Sequence, residues 1–377
     1  VCCNYNFYDD SRNYGSISCS STPSGASIYI NDNSTGLKTS AYISGLRPGK
    51  YWIKYIYPEY RSDSSVANVQ AQKTVSFSSN LIDTSRFVDF TRETGEYYHE
   101  CVLCDKNGRI ITGTAYGGLF IYSEGKFKNY NTGNSSIPSN MVTFLFQDSD
   151  ENIWVATSLG VVKISAAGIW EIFKTSNSVL PVNLVQSICE DGGKNIWMAT
   201  KSGLVKYYNG NWEVFTVANS SLQSNYCTSL CSTNDNSLWI GYYKTGVSKY
   251  QNGVWTHFPI TSFGLSNDYS YWRVFCDNGS NVFSICSSGV YSYSSGSWSK
   301  TTKYTGLCSF FDSENTLWIS TSYGYVILKK DGTQESFYFY NDSYLKDVII
   351  RGITQDKNKN IWFATYDKGL VKYKYYK

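Results

Sequence analysis

Along most of the chain, apolar and polar residues alternate in short runs, and the runs recur as a set. One set reads VTFLFQD, a turn DEN, IWVATS, a reversal at Gly160, VVKIS, a reversal with Gly168 and then IWEIFK. Period-two alternation puts successive side chains on opposite faces, so each run predicts a β-strand. Gly or Asn at the reversals supplies the positive φ that tight hairpins require. The order returns as VQSICED, NIWMATKSG, LVKYYNG, NWEVFTV, and again as CTSLCST, SLWIGYYKTG, VSKYQNG, VWTHFPI. Each set therefore predicts one four-stranded unit. A Gly follows the second strand in every copy, at Gly117, Gly160, Gly203, Gly246, Gly289, Gly324 and Gly369.

The second strand carries a marker. Trp154, Trp197, Trp239, Trp318 and Trp362 end the phrases NIW, NIW, SLW, TLW and NIW, and Ile111 in GRII and Phe283 in SNVF fill two gaps. The seven copies lie at intervals of 43, 43, 42, 44, 35 and 44 residues. About that many residues build one four-stranded blade, so the period predicts an all-β fold containing a seven-bladed β-propeller. An indole wedged between blades would remove about 150 to 250 Å² from water, on the order of 4 to 6 kcal/mol before entropy costs. The Trp ladder is thus framework.

The last set ends at Lys377 after three strands. SRFVDFT at residues 85–91 matches the fourth-strand phrase and precedes the first strand of copy one, so it is expected to complete the seventh blade and remove exposed sheet edges. Residues 15–80 lack the ladder phrase. Their alternating runs SIYI, YWIKYIY and KTVSF between polar turns predict a small antiparallel β-sandwich of five or six strands. The expected organisation is a tether at 1–14, a sandwich at 15–80 and a propeller at 81–377 closed by strand 85–91.

The segments DSDENIWVATSLGVVKIS, DGGKNIWMATKSGLVKYY and DKNKNIWFATYDKGLVKYK resemble the two-component regulator propeller repeat. Copy one (CDKNGRIITGTAYGGLFIY) and copy five (CDNGSNVFSICSSGVYSY) are degenerate, and copy five is followed by a short KTTKYTG connection in place of an NSSLQSN-like loop. In the N-terminal segment Pro23, Ser24, Gly25 and Ala26 before alternating apolar residues, with Gly36, Leu46, Gly49 and Tyr60, resemble the PEGA domain. Ser24 and Ser40 depart from that family's usual Glu and Pro. The PEGA resemblance implies a cell-envelope location. The propeller resemblance implies relatives that form the sensor half of transmembrane histidine kinases, so signalling by this chain would need a partner protein.

Charge changes little. Only 17% of residues are charged, the net charge is +3 and no five like charges run together, so nothing marks a nucleic-acid or anionic membrane surface. No stretch approaches eighteen consecutive apolar residues. Cys2 or Cys3, followed by polar NYNFYDDSRNYGS, resembles the lipidated start of a mature bacterial lipoprotein. That resemblance implies an extracytoplasmic protein, lipid-anchored in the bacterial outer membrane or at the cell surface, touching membrane only through the lipid. The interior Cys101, Cys189, Cys231, Cys276, Cys286 and Cys308 replace Phe, Ile, Ala or Ser of neighbouring copies and are expected as buried free thiols.

Catalytic chemistry is sparse. His99 and His257, the two histidines, fall on a first and a fourth strand and do not converge. Seven-bladed lyases acting on cyclic antibiotics have a similar repeat texture, but that resemblance implies a hub histidine which this ladder lacks. Cys101 and Cys104, three apart on a strand, point to opposite faces and make no zinc site. The turns DSDEN, DKNKN and DSENT lack the sixth-position Gly and distal Glu of calcium loops and read as strand reversals. No catalytic residue, metal or cofactor is expected.

What remains is a surface around the channel mouth. Near the start of the innermost strands stand Glu100, Thr143, Gln186, Thr228, Trp272, Leu307 and Arg351, with Arg273 after Trp272. The loops between second and third strands add Tyr116, Lys201, Tyr243, Lys244, Tyr323, Tyr366 and Lys368. Aromatic faces with Arg, Gln and Glu can stack on sugars or anchor a peptide. The expectation is a non-catalytic cell-envelope protein that binds a glycan or peptide on this face, linked to sensing. A scaffold for an envelope protein partner, or a propeller lyase or hydrolase, is the alternative.

Overall fold

The computed structural model describes residues 13–57, 60–83, 87–268, 270–321, 324–329, 334–338, 345 and 348–374. Cys2, Cys3 and Tyr323 lie outside the described residues. The chain divides into two compact units, one ending at residue 86 and one running from 87.

The larger unit is a seven-bladed β-propeller. Its first strands are His99–Cys104, Val142–Gln147, Val185–Glu190, Cys227–Ser232, Arg273–Cys276, Ser309–Phe311 and Ile350–Gln355, each opening a four-stranded sheet. First strands of neighbouring blades pack against one another, which makes them the innermost ring. The fourth strand of the seventh sheet is Phe87–Asp89, antiparallel to Leu370–Tyr373 with Val88 opposite Lys372. Phe90, just beyond it, stacks on Trp362 at 5.1 Å.

The ladder explains how blades adhere. Trp154 is 1% exposed and packs with Val185, Ile188 and Tyr207 of the next blade. Burying an indole N–H needs an acceptor. The turn Asp six residues earlier provides it: Trp154 Nε1 donates to Asp148 Oδ2 at 2.8 Å, Trp197 Nε1 to Asp191 at 2.7 Å, Trp318 Nε1 to Asp312 at 3.0 Å and Trp362 Nε1 to Asp356 at 2.9 Å. Asp148 also accepts from Asn152 N and Nδ2, both at 2.8 Å, so one carboxylate fixes the hairpin and the ring together. On the third strand a Lys sits over the ring, with Lys163 Nζ 5.8 Å from the Trp154 centroid and Lys206 Nζ 5.5 Å from that of Trp197. The repeated D…N-x-W…K pattern is one local unit of hydrogen bonding and cation–π contact.

The glycine after the second strand has a steric cause. Gly160 and Gly203 have φ of +139° and +135°, and an added Cβ would stand 2.6 Å from the Phe173 carbonyl oxygen and 2.7 Å from that of Phe215. Only a residue without Cβ lets the fourth strand close this tightly.

The smaller unit is a β-sandwich. One sheet orders Ala41–Leu46, Gly15–Thr22 and Thr74–Asn80; the other orders Asn33–Lys38, Ser27–Ile30, Gly49–Ile56 and Asp63–Val69. Ile17, Ile28, Ile53, Tyr55 and Val69 fill its core. Two details differ from expectation. Gly15–Thr22 and Thr74–Asn80 pair in parallel, because the chain between them crosses to the second sheet and returns in the starting direction. Leu81 joins the sandwich core, and Ile82–Asp83 pairs with Tyr60–Arg61, so this unit reaches past the expected boundary at residue 80.

Candidate functional site

The ring of first strands surrounds a cavity of about 700 Å³. Their N-terminal ends contribute Glu100, Thr143, Gln186, Thr228, Arg273, Leu307 and Arg351 to its wall. Most of these positions exist because of a β-bulge. In blades one, two, three, four and seven the pairing with the second strand slips by one residue near the strand start, for example between Val142 and Phe144. The extra residue lets two neighbours, such as Thr143 and Phe144, both face the channel while Val142 stays buried.

Blade five shows no such slip. Without the extra residue the alternation runs straight through, and Trp272, expected as a ligand-contacting residue, turns into the core. It is 0% exposed, lies 4.4 Å from the Phe263 ring, and its Nε1 has no partner among the described residues. Arg273 takes the channel position. Counting residues back from Phe283 cannot reveal a missing bulge, which is why the sequence placed Trp272 one register too far out.

The charged groups cluster at one side of the mouth. Arg351 Nε lies 3.7 Å from Glu100 Oε2, an ion pair beyond hydrogen-bond reach, and its guanidinium sits 5.4 Å from the Tyr366 ring centroid. Arg273 Nη1 makes one long contact, 3.5 Å, to the Gly306 carbonyl. Burial lowers the Arg273 pKa from its ordinary value, and the Arg351 charge pushes the same way. Opposite them, the Gln186 amide lines the cavity, whereas Thr228 Oγ1 is engaged with the Trp272 carbonyl and Thr143 Oγ1 with that of Ala156 at 3.4 Å.

Two tyrosine clusters flank the inner-strand starts. Tyr98 meets Tyr116 at 5.6 Å and Tyr366 at 4.8 Å, both edge-on. Tyr226, Tyr243 and Tyr271 form the second, with centroids 4.8 to 5.9 Å apart, Lys201 Nζ 5.3 Å from the Tyr226 ring and Lys244 Nζ 4.8 Å from that of Tyr243. Tyr116, Tyr243, Tyr366 and Lys201 were singled out in the sequence; Tyr98, Tyr226 and Tyr271 were not. Each of these three immediately precedes its blade's first strand or its buried first position, a signal that a column one place earlier would have exposed. Tyr116 is 67% exposed, and Met141, Tyr271, Leu307 and Ile349 add further exposed apolar surface on this face.

The wall carries thiols but no activated nucleophile. Cys189, Cys231, Cys276 and Cys308 line the cavity, and burial pushes Cys308 up to about 11 and Cys189 well above its ordinary value. Cys189 and Cys308 therefore stay protonated at neutral pH and react slowly. All nine cysteines among the described residues are free. Neither histidine lines the cavity. His99 is fully buried, with Nδ1 2.8 Å from Thr112 Oγ1 and a pKa held down to about 4 by burial; His257 Nδ1 lies 3.2 Å from Ser248 Oγ. No group of three or more His, Cys, Asp or Glu among the described residues is arranged to hold a metal ion.

The PEGA domain model matches residues 14–85, and the Two component regulator propeller model matches residues 136–158 and 344–367. No curated protein matches the chain significantly. Among solved structures, the extracellular domain of a hybrid two component system from B. thetaiotaomicron superposes with a TM-score of 0.63 at 21% identity, covering 74% of this chain and 40% of that one. A catalytically inactive histidine-to-alanine variant of virginiamycin B lyase from Staphylococcus aureus, crystallised with Quinupristin, gives 0.62 at 15% identity over 76% of this chain and 97% of that one. PorZ, a bacterial surface component of the type-IX secretion system of Porphyromonas gingivalis, gives 0.58 at 13% identity over 87% and 55%. This chain thus spans about two fifths of the extracellular-domain chain it resembles. At these identities the likeness is one of fold.

Proposed function

We propose that this chain is an extracytoplasmic binding module of the sensing type, which takes a glycan or peptide at the propeller channel mouth and does not transform it. One observation carries the reading: the cavity of about 700 Å³ joins a polar wall with two arginines to a rim of exposed tyrosines. Apolar surface with a few convergent polar groups is the usual composition of a ligand pocket. The raised thiol pKa values of Cys189 and Cys308, and histidines outside the wall, favour binding over catalysis. The extracellular two component domain and the surface protein PorZ among the neighbours support an envelope location.

A glycan and peptide array probed with the whole chain tests this. Binding that Tyr366→Ala and Arg351→Ala both weaken supports it. An array without binders, with one envelope protein captured instead through the exposed rim of Met141, Tyr271 and Ile349, would favour the scaffold reading. Turnover of any bound probe would contradict a non-catalytic role.

A further inference from the structure

The connection into blade six is the exception in the ring. It has six residues, 303–308, where those into blades two, three and four have eleven each, 131–141, 174–184 and 216–226. The first strand it feeds, Ser309–Phe311, is three residues long, against six in Val142–Gln147. This short segment is pinned: Leu307 N and Cys308 N donate to Ser320 Oγ at 3.1 and 2.9 Å. Its edges bring two cations together. Arg273 reaches the Gly306 carbonyl from blade five, and on the other side Cys308 Sγ contacts the carbonyl of Ile350, next to Arg351.

We propose that Arg273 and Arg351 together form a carboxylate-binding subsite in the channel mouth. The inference rests on the reading that a ligand enters this channel and names the chemistry of that ligand. Charge on this side of the wall does not balance. Among the described residues Glu100 is the one carboxylate facing the pair, and it serves Arg351 at 3.7 Å; Glu190, the other described carboxylate of the cavity, ends its strand at the far side and accepts from Ser149 N and Oγ at 2.7 and 2.8 Å. One positive charge is left over. A guanidinium has five N–H donors, yet Arg273 finds one long acceptor and Arg351 Nε is buried without any among the described residues. A buried donor such as Arg351 Nε is costly in that state unless a ligand completes it. A single carboxylate neutralises the excess charge and matches the planar fork of arginine with paired N–H···O bonds. The Gln186 amide lines the same cavity and can serve a neighbouring hydroxyl or carbonyl of the same ligand.

The carboxylate can belong to an acidic sugar or to a peptide C-terminus. Matched probes separate these sources: uronic-acid oligosaccharides and their methyl esters, and short peptides as free acids and C-terminal amides, each titrated against the whole chain, Arg273→Gln and Arg351→Gln. The free acid in one arm should bind about ten- to hundredfold tighter than its neutral counterpart, and both substitutions should erase that preference. Arg351→Lys, which keeps the charge but not the fork, should lose most of it at an unchanged melting temperature. Equal binding of acid and neutral forms, or a preference that survives both Gln variants, overturns this inference while leaving the binding module standing. Binding of no probe in either form overturns both.

Discussion

Blades two and three repeat each other almost position for position, while blade five shares the architecture and little of its furniture, and blade six keeps the Asp312–Trp318 clamp behind a shortened connection. The connections entering blades two, three and four are clamped alike. Asn134, Asn177 and Asn219 accept from the backbone three residues earlier, Asn140, Asn183 and Asn225 accept from the residue eight earlier, and Ile137, Leu180 and Leu222 plug the interior. Blade five has Phe283 in place of Trp, no bulge in its first strand, and an incoming connection built on the 3-10 helix Ile260–Phe263; blade six has the short connection. The contrast teaches that repetition in this chain reports stability, and that departures from it locate the unbalanced charge.

The largest test of the contrast is truncation of the ladder. Trp197→Ala leaves a cavity between blades and takes one donor from Asp191, and should cost about 3 to 5 kcal/mol in denaturant unfolding. Phe283→Ala, at a half-buried ring without a carboxylate partner, should cost clearly less. Equal losses would break the comparison.

The next test concerns blade one, where His99 occupies the buried position held by Val142 and Val185 elsewhere. Its pKa falls from 6.5 to about 4 on burial, so the folded state disfavours the proton that the unfolded chain accepts. Stability is therefore unaffected by this group above about pH 6.5 and declines as pH falls from there to about 4, by roughly 3 kcal/mol in all. His99→Val should flatten that part of the stability profile. A slope unchanged by the substitution would contradict the burial of a neutral imidazole.

Asp148→Ala removes acceptors for Asn152 and Trp154 at once and should cost about 1 to 3 kcal/mol. Asp277→Ala in blade five strips no indole and should cost less, measured in the same way. The smallest stability effect is expected from replacing residues 303–305 with the longer NSSLQSN-type connection while keeping Gly306, where a Cβ would collide with the Ser320 carbonyl, since loop closure entropy grows slowly with length, by about 0.6 kcal/mol per doubling. Ligand binding should suffer far more than stability, because the Gly306 carbonyl and Cys308 would move away from the arginines.

Most of the propeller could be read from the sequence because its cause is local. The Asp, Asn, Trp and Lys of each regular copy interact within one or two hairpins, so their spacing survives as a motif, and Ile111 and Phe283 could be placed by interval alone. The seventh blade was traceable because Phe87–Asp89 keeps the fourth-strand phrase. The site was only partly legible. Glu100, Gln186 and Arg351 could be placed on the cavity wall because they share a column, and Arg273 lies there as well, but Trp272 turned into the core through a missing bulge that leaves no mark in composition. The thiol-lined lower wall at Cys189, Cys231 and Cys276 was read as core, since a channel-facing cysteine and a core cysteine occupy the same alternating pattern. The parallel strand pair of the sandwich depends on how the chain crosses between sheets, which strand periodicity does not encode.

The central claim is that stability resides in the regular blades and recognition at the irregular side of the mouth. One crossed measurement tests it: melting temperature and probe affinity determined together for Trp197→Phe and Arg351→Gln. The account predicts a lowered melting temperature with unchanged affinity for Trp197→Phe, and an unchanged melting temperature with affinity reduced about tenfold or more for Arg351→Gln. Affinity lost with the indole, or retained without the guanidinium, would contradict it.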